Sequence, residues 1–254
     1  MIEIFKKIAK WQVFRNSEAF AGKTLGFVPT MGALHEGHLS LMQKSIAEND
    51  FTLVSLFVNP TQFNDPKDLE KYPRDFDDDF EKLKNAGVDF ILFPEYNDIY
   101  ADGYRYVVSE KKLANMLCGA SRPGHFDGVL TVVLKLLQIA GAQKAYFGEK
   151  DFQQYMLVSD MAKSFFINTE IIGCPIIRAE DGLALSSRNL LLNKENRKKA
   201  GIFPRLLHSG ESIEVIKEKL TKEGFKLDYI EEHFGRIFGA VYLQKVRLID
   251  NGKR

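Results

Sequence analysis

The sequence of 254 residues predicts an α/β fold in which helices cover both faces of a parallel sheet. Short apolar runs rich in β-branched and aromatic residues alternate with segments whose apolar residues recur every three or four positions, which indicates repeated strand–helix units. The run at 51–58 is apolar at nearly every position, as is typical of a central parallel strand that is buried on both faces. After Pro175 the pattern changes, and the remaining residues predict a smaller C-terminal α+β domain.

Residues 1–175 are predicted to form a Rossmann-like domain. Its predicted strands cover residues 25–28, 51–58, 88–94, 144–147 and 169–174, with a further edge strand at 104–109. Its predicted helices cover residues 8–20, 37–48, 75–85, 111–117, 129–140 and 152–164. The acidic run at 77–79 is expected to be a solvated helix start, because negative charge is favourable there, and residues 118–128 are expected to form a Gly-rich loop.

Residues 176–254 are predicted to form the small domain. A polar loop at 181–189 comes first, and Asn193 is expected to cap a basic helix that reaches residue 207. A charged helix at 211–222 and strand-like segments at 225–230 and 241–249 complete the domain.

The composition argues against several classes of protein. The net charge is +1, so no overall positive field favours nucleic acid or an anionic membrane. Cys118 and Cys174 are too few for a disulfide framework, no apolar run reaches the length of a membrane span, and the first residues lack a signal-peptide pattern. We therefore expect a cytoplasmic protein with reduced thiols and with neither nucleic acid nor membrane as a partner.

The segment 29–38 carries the most informative local pattern. It joins a predicted strand to a predicted helix through Gly32, and the free N–H groups of a first helical turn favour a phosphate. His35 and His38 are three positions apart, so both imidazoles can lie on the same side of that turn. Half of a zinc site is the alternative for such a pair, but five His and two Cys leave few residues to complete a zinc shell.

Polar turns follow three of the predicted strands, after Val28, Val58 and Phe147. Ligands of open parallel sheets bind beyond the carboxyl ends of the strands, so these turns are expected to form one site.

Four polar segments together resemble the pantothenate synthetase (pantoate–β-alanine ligase) family. They are 31–38, 57–63, 147–154 and 181–189, and further matching segments are 72–74, 119–128 and 247–251. The His-x-Gly-His turn is also similar to that of the larger nucleotidylyl-transferase superfamily. The resemblance implies ATP-dependent condensation of (R)-pantoate with β-alanine to pantothenate, AMP and diphosphate through a pantoyl adenylate. It also implies Mg²⁺ with the ATP, a homodimer, and a small domain that closes over the ATP site.

The resemblance assigns roles to single residues. The expected catalytic residues, which can place positive charge beside the phosphates, are His38, His35, Lys150 and Arg188. Gln62 and Gln154 are expected to bind pantoate, and Gln62 also β-alanine, because an amide can orient a carboxylate without adding charge. Arg122 and His125 are assigned to the steering of phosphates or of β-alanine. The expected ATP-binding residues are Met31, Gly32, Ala33, Leu34, His35, Glu36, Gly37, His38, Gly148, Glu149, Lys150, Asp151, Ile177, Leu185, Ser186, Ser187 and Arg188.

The sequence departs from the family pattern in two places. Thr61 stands where Met is more usual, and the short segment 225–246 leaves the extent of the C-terminal sheet open. Two alternatives are kept: another adenylate-forming nucleotidylyltransferase, which need not have Gln62 and Gln154, and a non-catalytic nucleotide-binding module, which has no need of Lys150. No residue is assigned as a magnesium ligand.

Overall fold

The protein is described by a computed structural model of residues 2–254, in which the strands form two separate sheets. The strands are β1 (Glu3–Phe5), β2 (Leu25–Thr30), β3 (Phe51–Leu56), β4 (Phe90–Leu92), β5 (Lys144–Gly148), β6 (Glu170–Cys174), β7 (Lys226–His233), β8 (Arg236–Leu243) and β9 (Val246–Lys253). The α-helices are α1 (Ile8–Arg15), α2 (Glu36–Glu48), α3 (Pro66–Lys71), α4 (Phe76–Ala86), α5 (Tyr96–Ile99), α6 (Cys118–Ser121), α7 (His125–Ala140), α8 (Phe152–Ser164), α9 (Lys194–Ala200), α10 (Ile202–Leu207) and α11 (Ile213–Lys222). Short 3-10 turns cover Glu18–Phe20, Pro60–Gln62, Leu113–Asn115, Glu149–Asp151 and Ser187–Leu191.

The larger sheet has six parallel strands in the order β1-β4-β3-β2-β5-β6, which confirms the predicted fold class. The strand order winds from β2 through β3 to β4 in one direction and through β5 to β6 in the other. The turns after β2 and β5 therefore diverge at the carboxyl edge of the sheet and leave a crevice between them.

Helices cover both faces of this sheet, as predicted. Phe27 and Leu53 point to one face, where they share a core cluster with Leu130 of α7. The next residues along the same strands, Val28 and Val54, belong to the cluster on the other face together with residues of α2 and α4. Successive strand side chains alternate between the faces, so each strand must be apolar at nearly every position.

Several elements expected in the first half of the chain differ in the structure. The expected helix at 111–117 is only the 3-10 turn Leu113–Asn115, and the expected helix at 8–20 ends at Arg15 and is followed by a separate 3-10 turn, Glu18–Phe20. Residues 104–109 form no strand, since Tyr104 has a left-handed φ of +61° and the N–H of Val108 donates to the Thr131 hydroxyl at 2.9 Å. The edge position is occupied by β1, which had not been predicted. The expected loop at 118–128 instead contains α6 and the first turn of α7, because Gly124 with φ +77° lets the chain turn directly into that helix.

The C-terminal part forms a three-stranded antiparallel sheet, β7-β8-β9, so the predicted small α+β unit is present and its sheet is complete despite the short sequence. The predicted strand at 241–249 is in fact two strands with a turn at Gln244. The expected single helix at 193–207 is divided at Gly201 into α9 and α10. Pro204 has no N–H to donate to the carbonyl of Ala200, so an uninterrupted helix would lose that hydrogen bond.

The small sheet packs on the larger domain beside the carboxyl edge of the parallel sheet. Phe238 of β8 lies 6.2 Å from Phe152 at the start of α8, and the hydroxyl of Tyr229 lies 3.0 Å from Cys118 Sγ. Across residues 2–254, no helix has the length and apolar character needed to cross a membrane.

Candidate active site

The turn between β2 and α2 is held in shape by a buried carboxylate. Gly32 and Ala33 both have left-handed backbones, with φ of +77° and +52°. Asp79 of α4 accepts the N–H of Ala33 at 2.9 Å with one oxygen and the N–H of Leu34 at 2.7 Å with the other. Lys82, one turn further along α4, donates to the carbonyl of Leu34 at 2.9 Å. Helix α4 therefore binds both N–H groups and a carbonyl group of the turn.

The expectation that residues 77–79 form a solvated helix start was wrong for Asp79. Its side chain is 3 % exposed, whereas Asp77 and Asp78 are exposed. Burial raises the pKa of Asp79, although the hydrogen bonds from Leu34 and Ala33 act in the opposite direction. The helical period places only the third Asp of the run against the turn, and its carboxylate is satisfied there by two N–H donors.

His35 and His38 both cap the start of α2, and each does so with its Nδ1. Nδ1 of His35 accepts the N–H of Gly37 at 3.1 Å, and Nδ1 of His38 accepts the N–H of His35 at 3.3 Å. Since each Nδ1 is an acceptor, the proton of each neutral imidazole lies on Nε2. The two rings are 4.1 Å apart between centroids and both border the cleft.

Both imidazoles are neutral at physiological pH. Burial, with help from the positive charge of Lys150, lowers the pKa of His35 to about 4. Burial, the neighbouring His35 and Lys150 lower the pKa of His38 to about 3. Without phosphates these residues therefore offer neutral N–H donors, and the expectation that they contribute positive charge beside bound ATP stays a prediction.

Lys150 and Arg188 are the cations of the site. Lys150 lies in the 3-10 turn after β5, 3.6 Å from the carboxylate of Asp151. Arg188 lies in the turn Ser187–Leu191, with Nη2 3.0 Å from Asp68, and Ser186 Oγ accepts its backbone N–H at 3.3 Å. Both ion pairs are partly exposed and can be exchanged for a phosphate.

Gln62 is positioned by a buried polar network. The amide of Asn59 donates to Gln62 Oε1 at 3.0 Å and to the carbonyl of Gly128 at 3.1 Å. Tyr100 OH donates to Asn59 Oδ1 at 2.8 Å, and the hydroxyl of Thr61 donates to the same oxygen at 3.0 Å. The unusual Thr61 thus contributes a hydroxyl to this network.

Arg122 and His125 hold the backbone of the same turn. Nδ1–H of His125 donates to the Gln62 carbonyl at 2.8 Å, so Nε2 is left to accept from Arg122 Nη1 at 3.0 Å. Arg122 Nη2 donates to the same carbonyl at 3.2 Å. Burial and Arg122 lower the pKa of His125 to about 3. Both ring nitrogens of His125 are already used, and the steering role expected for it stays a prediction.

The neighbouring glutamines of α8 have different surroundings. Gln153 is buried; its amide donates to the carbonyls of Leu113 at 2.8 Å and Met116 at 2.7 Å, and its oxygen accepts the N–H of Cys118 at 3.1 Å. Gln154 is only partly buried and borders the cleft. Of the two, Gln154 is the one that a ligand can reach.

These segments enclose one cleft of about 240 Å³ at the carboxyl edge of the sheet. Its apolar side is formed by Phe57, which directly follows β3, and by residues of α7, among them Val129 and Val133. The expected site residues that border it are Met31, His35, Gly37, His38, Gln62, Arg122, His125, Gly148, Lys150, Asp151, Gln154, Ile177, Leu185, Ser186, Ser187 and Arg188. A second cavity of about 340 Å³ adjoins it on the side of the C-terminal sheet and shares Arg122, Lys150 and Arg188 with it.

Five of the expected ATP-binding residues do not border the cleft: Gly32, Ala33, Leu34, Glu36 and Glu149. Leu34 belongs to the core, and Glu36 is exposed on the first turn of α2. Glu149 lies 3.7 Å from Arg236 of the small sheet. Asp79, Asn59 and Asn251 were not predicted as site residues, because their contacts join segments that are distant in sequence.

The parallel sheet, the crevice at its carboxyl edge and the two capping histidines define a nucleotide-binding α/β enzyme that presents N–H donors and cations to a polyanion. Residues 3–253 match the family model described as Pantoate-beta-alanine ligase. The chain belongs to this family.

Relatives match over almost the whole chain. The pantothenate synthetase of Bdellovibrio bacteriovorus is 50% identical over 252 residues, which cover 99% of both chains. That of Legionella pneumophila, strain Lens, is 47% identical over 98% of this chain and 99% of its own. These relatives have almost the same length, so the compact C-terminal segment is shared with them.

Solved structures agree with the fold. The crystal structure of Francisella tularensis pantoate-beta-alanine ligase, complexed with beta-gamma ATP and beta-alanine, superposes with a TM-score of 0.95 at 46% identity and covers 100% of this chain and 98% of that one. The pantothenate synthetase of Thermus thermophilus gives a TM-score of 0.90 at 37% identity, with 99% of both chains covered. The family assignment sets aside the two alternative functions.

Replacing Asp79 by Asn should destabilise the turn. The substitution keeps the shape but leaves only one acceptor oxygen and points an NH₂ group at a backbone N–H, and a buried donor without a partner costs about 1–3 kcal/mol. We expect the free energy of unfolding in urea to fall by that amount. Asp77→Asn on the exposed face of the same turn is the control and should change it by less than about 0.5 kcal/mol. Equal losses in both variants would contradict the role of Asp79 in holding the turn.

Acidification should destabilise the protein through its buried histidines. His35, His38 and His125 have lowered pKa values, so the unfolded chain takes up protons near pH 6.5 that the folded chain refuses until about pH 3–4. The histidines therefore leave the free energy of unfolding nearly constant between about pH 7 and pH 8, and they should make it fall as the pH drops below 6.5, by at most about 4 kcal/mol per pH unit. The raised pKa of Asp79 acts in the opposite sense at the acid end.

Urea unfolding at pH 7, 6, 5.5 and 5 measures this slope. His38→Asn, which keeps an acceptor in place of Nδ1, should lower the slope by the equivalent of about one proton taken up on unfolding. A slope that the substitution leaves unchanged would mean that His38 is protonated in the folded state.

Proposed function

We propose that the cleft condenses (R)-pantoate with β-alanine, using ATP, through a pantoyl adenylate. The observation that carries the proposal is the meeting of three groups of side chains in one cleft: the capping histidines, the cations Lys150 and Arg188, and the amides of Gln62 and Gln154. The histidines and cations suit a triphosphate, and the amides beside an apolar wall suit a hydroxy acid that carries two methyl groups. ATP–diphosphate exchange with and without pantoate tests it: exchange should require pantoate and should not require β-alanine.

In the first step, a carboxylate oxygen of pantoate bonds to the α-phosphorus of ATP while the bond from that phosphorus to the β-phosphate bridging oxygen breaks. Gln62 and Gln154 orient the pantoate by donating N–H groups, which leave its carboxylate nucleophilic. Phe57 and Val133 of the apolar wall accommodate the methyl groups. The contribution of the protein to such a step is positioning and electrostatic stabilisation.

The departing diphosphate is stabilised by fixed donors and cations. The N-terminus of α2 and the Nε2–H groups of His35 and His38 serve the α-phosphate, and Lys150, Arg188, Ser186 and Ser187 serve the β- and γ-phosphates. The imidazoles are neutral in the free protein and each carries its proton on Nε2, so they can donate hydrogen bonds to an arriving polyanion without a change of protonation state. The same phosphates favour the protonated imidazole and should raise both pKa values on binding.

Mg²⁺ is proposed to accompany ATP. No group of three or more His, Cys, Asp or Glu that could hold a metal ion occurs in the part of the chain that the structure describes. The nearby carboxylates of Asp68 and Asp151 are each paired with a cation. This donor set fits an ion bound mainly by phosphate oxygens and water, as is usual for Mg²⁺, and such an ion supplies charge neutralisation when bound.

In the second step, the neutral amine of β-alanine bonds to the acyl carbon of the adenylate, the bond from that carbon to the phosphate oxygen breaks, and AMP leaves. Gln62 is proposed to orient the amine. The amine proton passes to solvent, since Nδ1 of each capping histidine is occupied by a backbone N–H and Nε2 already carries a proton. We therefore assign these histidines as donors and not as bases.

The assembly and the location of the protein are also proposals. We propose a cytoplasmic homodimer, on the basis of the family resemblance and the reduced cysteines; both Cys118 and Cys174 are free thiols. Two residue sets are proposed as domains, 1–175 and 176–254, on the basis of their separate core clusters and sheets, with the second closing over the ATP site. Sedimentation equilibrium tests the assembly.

Two substitutions of His38 separate donation from capping. His38→Asn keeps an acceptor for the His35 N–H and removes the Nε2–H donor, whereas His38→Gln keeps a donor near the Nε2 position. Loss of one donor to a developing negative charge lowers kcat by roughly a hundredfold to a thousandfold, so we expect that loss for Asn and a much smaller one for Gln. Pantoate affinity, measured by calorimetry, should change little in either variant. Parental turnover in His38→Asn would contradict the assignment.

Replacing Gln154 by Ala should weaken pantoate binding and spare ATP. One hydrogen bond to a charged partner contributes roughly 1.5–3 kcal/mol, which is about a tenfold to hundredfold change in affinity. Gln154→Glu has the same shape but repels the carboxylate, so it should weaken pantoate binding further. Isothermal calorimetry of both ligands measures the effect. Equal losses for ATP and pantoate would indicate local misfolding, and unchanged pantoate binding would place the pantoate pocket elsewhere.

A further inference from the structure

The last strand of the small sheet reaches back to the segment that carries Lys150. Asn251 of β9 is 2 % exposed and donates both protons of its amide nitrogen, one to the carbonyl of Glu149 and one to the carbonyl of Lys150, each at 3.0 Å. Asn251 thereby joins the C-terminal sheet to the turn after β5, across about a hundred residues of sequence.

The orientation of this amide is fixed by a buried guanidinium. Asn251 Oδ1 accepts from Arg236 Nε at 3.1 Å and from Arg236 Nη2 at 2.7 Å. Arg236 is itself held over the ring of Phe152, 4.0 Å from its centroid, and lies 3.7 Å from the carboxylate of Glu149. Both donors and both lone pairs of the amide are therefore used, and a flipped amide would direct its NH₂ group at the guanidinium.

The preceding residue fixes a second segment of the cleft. Asp250 accepts from Arg178 in a bidentate pair at 2.7 and 2.8 Å, and Arg178 also donates to the carbonyl of Gly182 at 2.9 Å. Gly182 lies at the start of the loop 181–189, which also bears Ser186 and Arg188. Asp250 and Asn251 together thus connect the two phosphate-facing segments through one end of β9.

The side chain of Lys150 has little support of its own. In residues 2–254 its ammonium group has one ion-pair partner, Asp151, at 3.6 Å. The direction of the Lys150 side chain consequently depends on its backbone, and two consecutive carbonyls of that backbone are held by Asn251.

We propose that Asn251, oriented by Arg236, is a positioning residue that aligns Lys150 with the phosphates of ATP. This rests on the proposed function, in which Lys150 contacts those phosphates. The side chain of Asn251 is buried and acts through the Glu149 and Lys150 carbonyls. The small sheet is therefore part of the adenylation machinery as well as a cover for it.

A double-mutant cycle tests whether Asn251 acts through Lys150. Asn251→Asp keeps the size and the acceptor for Arg236 but replaces the NH₂ group by an oxygen that repels both carbonyls. We expect kcat/KM for ATP in pantoate-dependent exchange to fall about tenfold in the parent background, with the larger share of the loss in kcat. In the Lys150→Ala background the same substitution should cost less than about twofold, because the side chain to be aligned is absent.

Either of two results would overturn the proposal. One is that the fold-losses in kcat/KM of Asn251→Asp and Lys150→Ala multiply in the double variant; the other is that Asn251→Asp is as active as the parent. Arg236→Lys provides a second cycle if Asn251→Asp does not fold, since it keeps one donor to Asn251 and leaves the amide in place. Its loss in kcat/KM should likewise be much smaller in the Lys150→Ala background than in the parent. Fold-losses that multiply in the double variant would again overturn the proposal.

Tyr229→Phe is the matched control. It removes another contact between the small sheet and the larger domain, the one with Cys118, without touching the turn after β5. In the parent and in the Lys150→Ala background, its kcat/KM should stay within about twofold of the corresponding protein that keeps Tyr229. Absence of pantoate-dependent exchange in the parent protein would contradict the proposed function itself, whereas an active parent with multiplying losses would contradict only the positioning role.

Discussion

The carboxylate of Asp79 accepts the N–H groups of two successive residues in a turn that a chain would not adopt unaided. Ala33 carries a side chain in a left-handed conformation, and Gly32 approaches so closely that a Cβ there would lie 2.7 Å from Asp79 Oδ2. Non-glycine residues in this region store strain, which the surrounding structure has to overcome. Because the turn sets where α2 begins, Asp79 determines the direction of the N–H groups and the placement of both capping histidines. The side of the cleft that we propose faces the phosphates of ATP depends on this contact.

The opposite side of the cleft is built on the same principle, in which buried amides and carboxylates hold loop backbone. Asn59 orients Gln62, and Asn251 holds the turn at Lys150. Each of these side chains is nearly inaccessible and fully paired, so its surroundings allow one orientation. The groups that we propose contact substrate can therefore remain partly exposed and make few contacts of their own.

The protonation states follow from the same burial. A charged imidazole at His35 or His38 would be poorly solvated and close to Lys150, so both rings stay neutral, and the backbone N–H at each Nδ1 decides the tautomer. His125 has the opposite tautomer because a carbonyl faces its Nδ1. In all three histidines of the cleft, neighbouring peptide groups thus decide which ring nitrogen carries the proton. The site therefore contains oriented N–H dipoles in addition to its charged side chains.

The sequence by itself determined the parallel α/β class, because strand and helix periods are local properties that apolar residues express directly. It also located the segments 31–38 and 147–154, whose turns follow apolar strands and whose motifs resemble those of one family. Local patterns could not decide which Asp of the run 77–79 is buried or which edge of the sheet β1 occupies. Those outcomes depend on contacts between residues far apart in the chain, such as Asp79 with Leu34 and Asn251 with Lys150. Burial also decided the charge of the histidines, since desolvation arises only when the surrounding elements have packed.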